Sequence, residues 1–193
     1  MICGESAMNV YDFDGTIYHG DSTIDFYLYC LIRRPKIIFC FPRQLGGTLA
    51  YALGKYDKTR WKESFFCFLT QIDDLHTEVC DFWDQHEKKI REWYLDQKQE
   101  TDVIISASPA FLLQEICRRL EVRHLIASQV DEEGRFSGKN CYGKQKAAYF
   151  GERFPQNSID CFYSDSVSDQ PMARLAAAAY LVDGERICQW PFE

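Results

Sequence analysis

Two aspartates stand one residue apart at the end of a short apolar run, in Val10-Tyr11-Asp12-Phe13-Asp14-Gly15-Thr16-Ile17. On a strand, residues i and i+2 point the same way, so Asp12 and Asp14 can share one site while Phe13 packs behind them. Two other apolar runs end in reactive residues: Asp102–Ile105 leads to Ser106 and Ser108, and Ile159–Tyr163 leads to Asp165 and Asp169. Lys144 and Lys146 stand at a predicted helix start after Gly143. Asp12, Asp14 and Asp165 gathered in a small volume would raise one another's pKa. A hard divalent cation offsets that cost, and Mg²⁺ prefers oxygen ligands. A lysine and a serine facing the same space suit an anion, and phosphate fits. One carboxylate can attack phosphorus; another can protonate the leaving oxygen and then deprotonate water.

Each feature has an ordinary reading alone. Asp-Gly is commonly a turn, Ser-x-Ser-Pro is commonly a helix cap, and Asp165 and Asp169 can favour a helix N-terminus. Their arrangement along one chain favours the shared site.

The elements that must position these residues follow from the pattern. Met8–Asp12, Asp102–Ile105, His124–Ser128, Ile159–Tyr163 and Ala179–Val182 read as strands. Helices are predicted over Pro109–Leu120, Gly143–Phe154 and Asp169–Ala177, and Gln129–Ser137 reads as a hairpin turning at Glu133-Gly134. This alternation predicts an α/β fold with a parallel sheet covered on both faces. Between the first two strands everything reads as helix. Ser22–Arg33 has a Ser or Thr cap, Ile37–Leu53 is helical in pieces with Gly46-Gly47 as a weak point, Asp57–Ile72 is capped by Asp57, and Asp73–Gln99 is one long helix. The predicted division is a core of residues 1–22 and 96–193 with a helical cap of 23–95 inserted after the first strand.

DFDGT, the serine of VIISASP, the lysine of GKQKA and the acids of YSDSVSD together resemble the four motifs of the haloacid dehalogenase superfamily phosphatases. Their order and spacing are similar to the phosphoserine-phosphatase-like branch, over nearly the whole chain. The resemblance implies a Rossmann-like core and a Mg²⁺-dependent phosphomonoesterase. It implies Asp12 as nucleophile, Asp14 as general acid/base, Ser106 and Lys146 as phosphate ligands, and Asp165 as a metal ligand. Asp12 would also meet the metal, Asp14 would offer it a backbone carbonyl, and Asp169 would act from the outer shell. Ser108 is an alternative to Ser106, and Lys144 to Lys146. Ser106 directly follows the apolar run, and Lys146-Ala147 opens the helix in the family manner. Ser164 stands where many members have Gly, and its small side chain predicts little effect.

Hydrophobic residues make up 46% of the 193 and aromatics 15%, enough for a sizeable core. The net charge of −7 argues against a nucleic-acid partner. The nine cysteines are Cys3, Cys30, Cys40, Cys67, Cys80, Cys117, Cys141, Cys161 and Cys188; they form no C-x-x-C pair and their number is odd. Buried or idle thiols in a reducing cytosol are expected, not a zinc site. No secretory signal is visible in Met1–Ala7, and Met8 can serve as the natural start. The apolar stretch Ile24–Leu53 is broken by Arg33, Arg34, Lys36, Arg43, Pro35 and Pro42, short of the about 18 uninterrupted residues of a spanning helix.

The cap has a character of its own. From Arg33 to Lys62 there are eight basic residues and one acid, Asp57, a net of +7. The same stretch holds Ile37, Ile38, Phe39, Phe41, Leu45, Leu49, Tyr51 and Leu53. Basic and apolar together suit an amphiphilic phosphate or peripheral contact with an anionic membrane from the cytoplasmic side. The ordinary alternative is a cap that packs its apolar side on itself. RRPKIIFCFPRQL, HLIASQ and YSDSVSDQP are also, more loosely, similar to the bacterial phosphatidylglycerophosphate phosphatases of this branch, which implies a lipid phosphate. A small substrate such as phosphoserine, a phosphomutase or phosphotransferase, and a non-catalytic phosphate- or membrane-binding module are the alternatives.

Overall fold

The run Met8–Tyr11 forms β1, a central strand buried along most of its length. The structure, a computed structural model, describes residues 8–192; Met1–Ala7, with Cys3 and the expected absence of a signal, lies outside them. The sheet has six strands in the order β3-β2-β1-β4-β5-β6. These are β2 (Val103–Pro109), β3 (His124–Ser128), β4 (Ile159–Ser164), β5 (Ala176–Asp183) and β6 (Arg186–Gln189). β1 to β5 pair in parallel, and β6 returns antiparallel on β5. The chain leaves β1 toward β2 on one side and later returns to β4 on the other. That reversal opens a crevice at the C-terminal ends of the strands, where ligands bind in open α/β sheets.

Two buried clusters cover the sheet. One joins Tyr11, Phe13 and Ile104 to aromatic residues of the inserted helices, among them Phe26, Phe68, Phe82, Trp83 and Tyr94. The other gathers Val10, Ile105, Phe150, Phe162 and Trp190. The helical insertion therefore shares one hydrophobic core with the strands that carry the reactive residues.

Helix α1 (Ser22–Arg33) has its expected bounds, but its cap is Asp21, whose carboxylate accepts from the Ile24 amide. Ser22 is buried instead, and its amide donates to Asp14. After a 3-10 segment at Pro35–Cys40, α2 (Phe41–Ala52) runs straight through Gly46-Gly47. Gly47 is a packing position rather than a weak point: a Cβ there would stand 2.3 Å from the Ser64 Cβ. Ser64 belongs to α3 (Lys58–Phe65), which Asp57 caps as expected and which tightens to 3-10 over Phe66–Gln71.

The expected long helix 73–99 is broken into α4 (Leu75–His86), a 3-10 turn at Glu87–Lys89, and α5 (Glu92–Gln97). Tertiary pairing wins over helical continuation here. Ile90 bridges to Tyr18, and the Arg91 amide donates to the Ile17 carbonyl at 2.9 Å. Helix α6 (Ala110–Arg119) follows Pro109, which occupies its N-cap, and α7 (Lys144–Arg153) follows Gly143. The expected helix 169–177 is reduced to a 3-10 turn and α8 (Gln170–Ala173), because the alanines from Ala176 pair with β4. Strand β6 was not expected: all four of its residues are exposed, so it has no apolar alternation. The 129–137 hairpin forms, with Val130 bridging Phe136.

The buried Asp102, before β2, accepts from the Gln99 amide at 2.8 Å. Burial pushes its carboxyl up to about 6, against the downward pull of that hydrogen bond. A raised native pKa means that the fold holds this proton more tightly than the unfolded chain does. The stabilisation is full below the ordinary carboxylate pKa of about 3.9 and is lost as pH rises through the native value. Asp102→Asn is therefore expected to stabilise the protein by on the order of 1–3 kcal/mol near pH 8 and by almost nothing near pH 4. Thermal melts of both proteins at the two pH values check this.

Candidate active site

The C-terminal ends of β1, β2 and β4 and the start of α7 meet at a cavity of about 360 Å³. Asp12, Asp14, Ser106, Ser108, Lys146, Asp165 and Asp169 all line it. Lys144, two residues before Lys146, is exposed and does not.

Lys146 is 2% exposed and lies between two acids. Its Nζ is 2.9 Å from Asp12 Oδ1 and 2.5 Å from Asp169 Oδ2. Burial alone would lower the lysine, but the carboxylates of Asp12 and Asp169 outweigh it and hold the ammonium above its ordinary value. Asp12 is pushed up as well. Burial raises its carboxyl to about 7, with Lys146 pulling it down and Asp169 pushing it up. Asp12 Oδ1 also accepts from the Phe13 amide, while Oδ2 has only a 3.5 Å contact from the Ser164 hydroxyl. Oδ2 is thus the less engaged oxygen. Ser164 is more than a small substitute for Gly: its hydroxyl donates to Asp169 at 3.0 Å and accepts from the Ser166 amide.

Asp14 sits on the same loop but looks elsewhere. Its Oδ1 accepts from the Ser22 amide at 2.7 Å and its Oδ2 from the Ser108 hydroxyl. Burial raises it to about 6, with Asp21 adding to the rise and Ser108 and Ser22 opposing it. So the three acids do not converge. Among the described residues, no group of three His, Cys, Asp or Glu side chains is placed to hold a metal.

What remains fits a hard cation held by few protein ligands. Asp165 lies against the backbone at Gly15, where a Cβ would stand 2.1 Å from its Oδ2. Burial raises its carboxyl, and among the described residues it forms no ion pair. Two carboxylates, Asp12 and Asp165, beside the backbone that follows Asp14 are an all-oxygen set with incomplete charge compensation. The loops that carry them are tied together: the Asp165 amide donates to Thr16 Oγ1 at 2.9 Å, and Arg91 Nη2 donates to the Gly15 carbonyl at 3.4 Å. Gly15 has φ +72°, which favours glycine, and has no space for a methyl. Gly15→Ala is expected to displace Asp165 and lower turnover by roughly 100-fold or more, with only a modest fall in melting temperature. Steady-state kinetics and a melt of the variant check this.

The two serines divide. Ser108 is committed to Asp14 and lies 2.8 Å from Thr23 Oγ1. Ser106 accepts from the Ser108 amide, and among the described residues its own proton has no acceptor. Its hydroxyl is the one available to an incoming anion.

The inserted helices contribute a residue to which sequence reasoning gave no role at the site. Lys62 of α3 reaches into the cavity, donating to the Ala107 carbonyl and to Asn140 Oδ1, each at 2.9 Å. Burial lowers its pKa to about 8, with Lys58 adding to the fall. Asn140 is held by Ser128, which also receives the Cys141 amide. The available signal was a lysine between Trp61 and Phe65-Phe66, on the side of α3 that carries its large rings. The eight described cysteines are free thiols.

The model of the haloacid dehalogenase-like hydrolases matches residues 10–174, so the chain belongs to that family of enzymes. No curated protein sequence matches it. Among solved structures, a protein of unknown function from Bordetella pertussis Tohama I superposes with a TM-score of 0.75 at 18% identity, covering 91% of this chain and 89% of that one. A phosphoserine phosphohydrolase-like protein from Francisella tularensis subsp. tularensis SCHU S4 gives 0.56 at 14% identity, over 90% and 86%. A phosphoserine phosphatase in its apo form gives 0.54 at 13%, over 91% and 85%. The fold is that of the phosphoserine-phosphatase-like branch, as the motifs implied.

Proposed function

We propose that the protein is a Mg²⁺-dependent phosphomonoesterase that works through an aspartyl-phosphate on Asp12. The observation that carries this reading is the pairing of Asp12 with the buried Lys146 on the cavity wall, with Asp14 held apart by Ser22 and Ser108. Lys146 and the Ser106 hydroxyl hold the phosphate, and Asp169 positions Lys146. The Asp12 carboxylate attacks phosphorus, the bond to the leaving oxygen breaks, and that oxygen takes the Asp14 proton. Asp14 then takes a proton from water, which attacks phosphorus and breaks the bond to Asp12, releasing phosphate. The raised Asp14 pKa suits a group that must both give and take a proton. Asp12, Asp165 and the Asp14 carbonyl would hold Mg²⁺, which supplies positive charge to the phosphate oxygens when bound.

Residues 23–95 act as the cap over the core of 1–22 and 96–193, and the substrate is a lipid or other amphiphilic phosphate met at the cytoplasmic face of a membrane. The basic, apolar cap supports this choice. Among the described residues no helix is long and apolar enough to cross a membrane. The second reading is a small phosphate that carries its own charges, as in the phosphoserine of the neighbours' names. Asp21 and Lys62 in the cavity lining favour it.

The test is phosphate release with Mg²⁺ across phosphoserine, sugar phosphates, nucleoside monophosphates and phosphatidylglycerophosphate in micelles. Release from the lipid supports the first substrate reading, and release from soluble phosphoserine alone supports the second. No release from any of them would favour a binding module and overturn the enzymatic proposal.

A further inference from the structure

Helix α2 has its polarity reversed. Its inward contacts are made by small and polar residues: Gly47 against Ser64, Gln44 with the Tyr27 hydroxyl and the Phe65 carbonyl, and Thr48 with the Trp61 indole. Its large apolar residues Phe41, Leu45 and Leu49 recur every fourth position and so share one face. They are 56%, 58% and 60% exposed. Leu53 continues the row at 62%, and Phe39, in the 3-10 segment before the helix, is 81% exposed. Burying side chains of this size is favourable, so a helix that served only the internal core would turn this row inward. An exposed apolar patch with a polar rim marks a surface that something else covers.

The rim says what covers it. Lys36, Arg43 and Lys55 are exposed, and among the described residues none of them forms an ion pair. Arg33 and Arg34 are held by Glu78. The only acid between 33 and 62 is Asp57. An apolar row flanked by unpaired cations matches the interface of an anionic bilayer, with the row at the acyl boundary and the cations at the headgroups. A second copy of the chain would set the same basic rim against itself across a two-fold axis.

We propose that Phe39 and the Phe41–Leu45–Leu49–Leu53 row, with Lys36, Arg43 and Lys55, form a docking surface for an anionic lipid bilayer. The inference deepens the lipid-phosphate reading and rests on it for its purpose, though not for its geometry. Tyr51 of α2 stacks on Trp61 at 5.2 Å, and Trp61 lines the cavity. The docked helix therefore stands one ring pair from the cavity and would bring it to the headgroup layer.

The experiment is co-sedimentation of the full chain with vesicles of phosphatidylcholine alone and of phosphatidylcholine mixed with phosphatidylglycerol. Binding is expected to the mixed vesicles and to weaken with added salt. The double variant Leu45→Glu/Leu49→Glu is expected to lose more than about tenfold in vesicle affinity. It should keep the wild-type rate on any soluble phosphate that the wild type hydrolyses. Asp12→Asn should bind vesicles like the wild type, which separates this surface from the chemistry. No wild-type binding, equal binding to both vesicle types, or an unaffected double variant would overturn the surface. So would a wild-type dimer that the double variant dissolves, which would assign the row to a second copy. Hydrolysis without vesicle binding removes the surface and spares the phosphatase; vesicle binding without hydrolysis does the reverse.

Discussion

Asp12→Asn is expected to abolish phosphate release, by roughly 10⁴-fold or more, while the protein folds and melts as a single unit. The amide is nearly the same size and can still accept from the Phe13 amide at the position of Oδ1. It cannot form the acyl phosphate. A merely structural role for Asp12 would give a different pattern: a lower melting temperature and turnover that falls only in proportion to the folded fraction. Kinetics and a thermal melt on the same preparation separate the two, and normal turnover in the variant would remove Asp12 as the nucleophile.

Lys146→Met should be nearly as damaging, for a different reason. The methionine fits the space but leaves the buried carboxylates of Asp12 and Asp169 facing each other without a cation. Breaking a buried ion pair by removing one partner costs about 3–5 kcal/mol. Turnover should fall by roughly 100-fold or more, because the charge that meets the phosphate is gone. Lys146→Arg should restore little of it, since a planar guanidinium cannot replace a point charge held between two acids. Denaturant unfolding measures the first effect and steady-state kinetics the second. A Lys146→Met protein as stable as the wild type would show that Asp169 and Asp12 do not depend on the lysine. Lys144→Met, on the exposed face, should do neither.

Much of this site could be read from the chain because its parts sit where strands end. Asp12 and Ser106 each follow an apolar run directly, Asp165 follows one after Ser164, and a parallel sheet brings such ends together. Lys146 could be separated from Lys144 only by the α7 pattern, and the structure puts the two on opposite sides of the burial boundary. Asp14 was legible as a neighbour but not as a divergent group: its direction depends on Ser22 and Ser108, and Ser108 is 94 residues away. Lys62 was hidden in the same way, since Asn140 is 78 residues from it.

The failures in the fold have the same origin. Periodicity across 73–99 continues through Glu87–Lys89, yet the pairing of Ile90 with Tyr18 stops the helix. Gly46-Gly47 looked like a breaker by propensity. In place, Gly47 lets α2 approach α3 closely enough to meet Ser64. The alanines near 176 suit a helix on propensity, and only the open edge of β4 turns them into a strand. Strand β6 offered no pattern, because a fully exposed hairpin arm needs none.

The central claim is a covalent phosphoryl group on Asp12, and the most direct test is to trap it. The enzyme is mixed with Mg²⁺ and whichever phosphate the panel shows to be hydrolysed, quenched in acid, and reduced with borohydride, which converts an acyl phosphate to the alcohol. Mass spectrometry of the peptide that contains residue 12 then reads the site. Conversion of Asp12 to homoserine, dependent on substrate, is the predicted result. Active enzyme with Asp12 unmodified, or with the modification at Asp14, Asp165 or Asp169, would contradict the account.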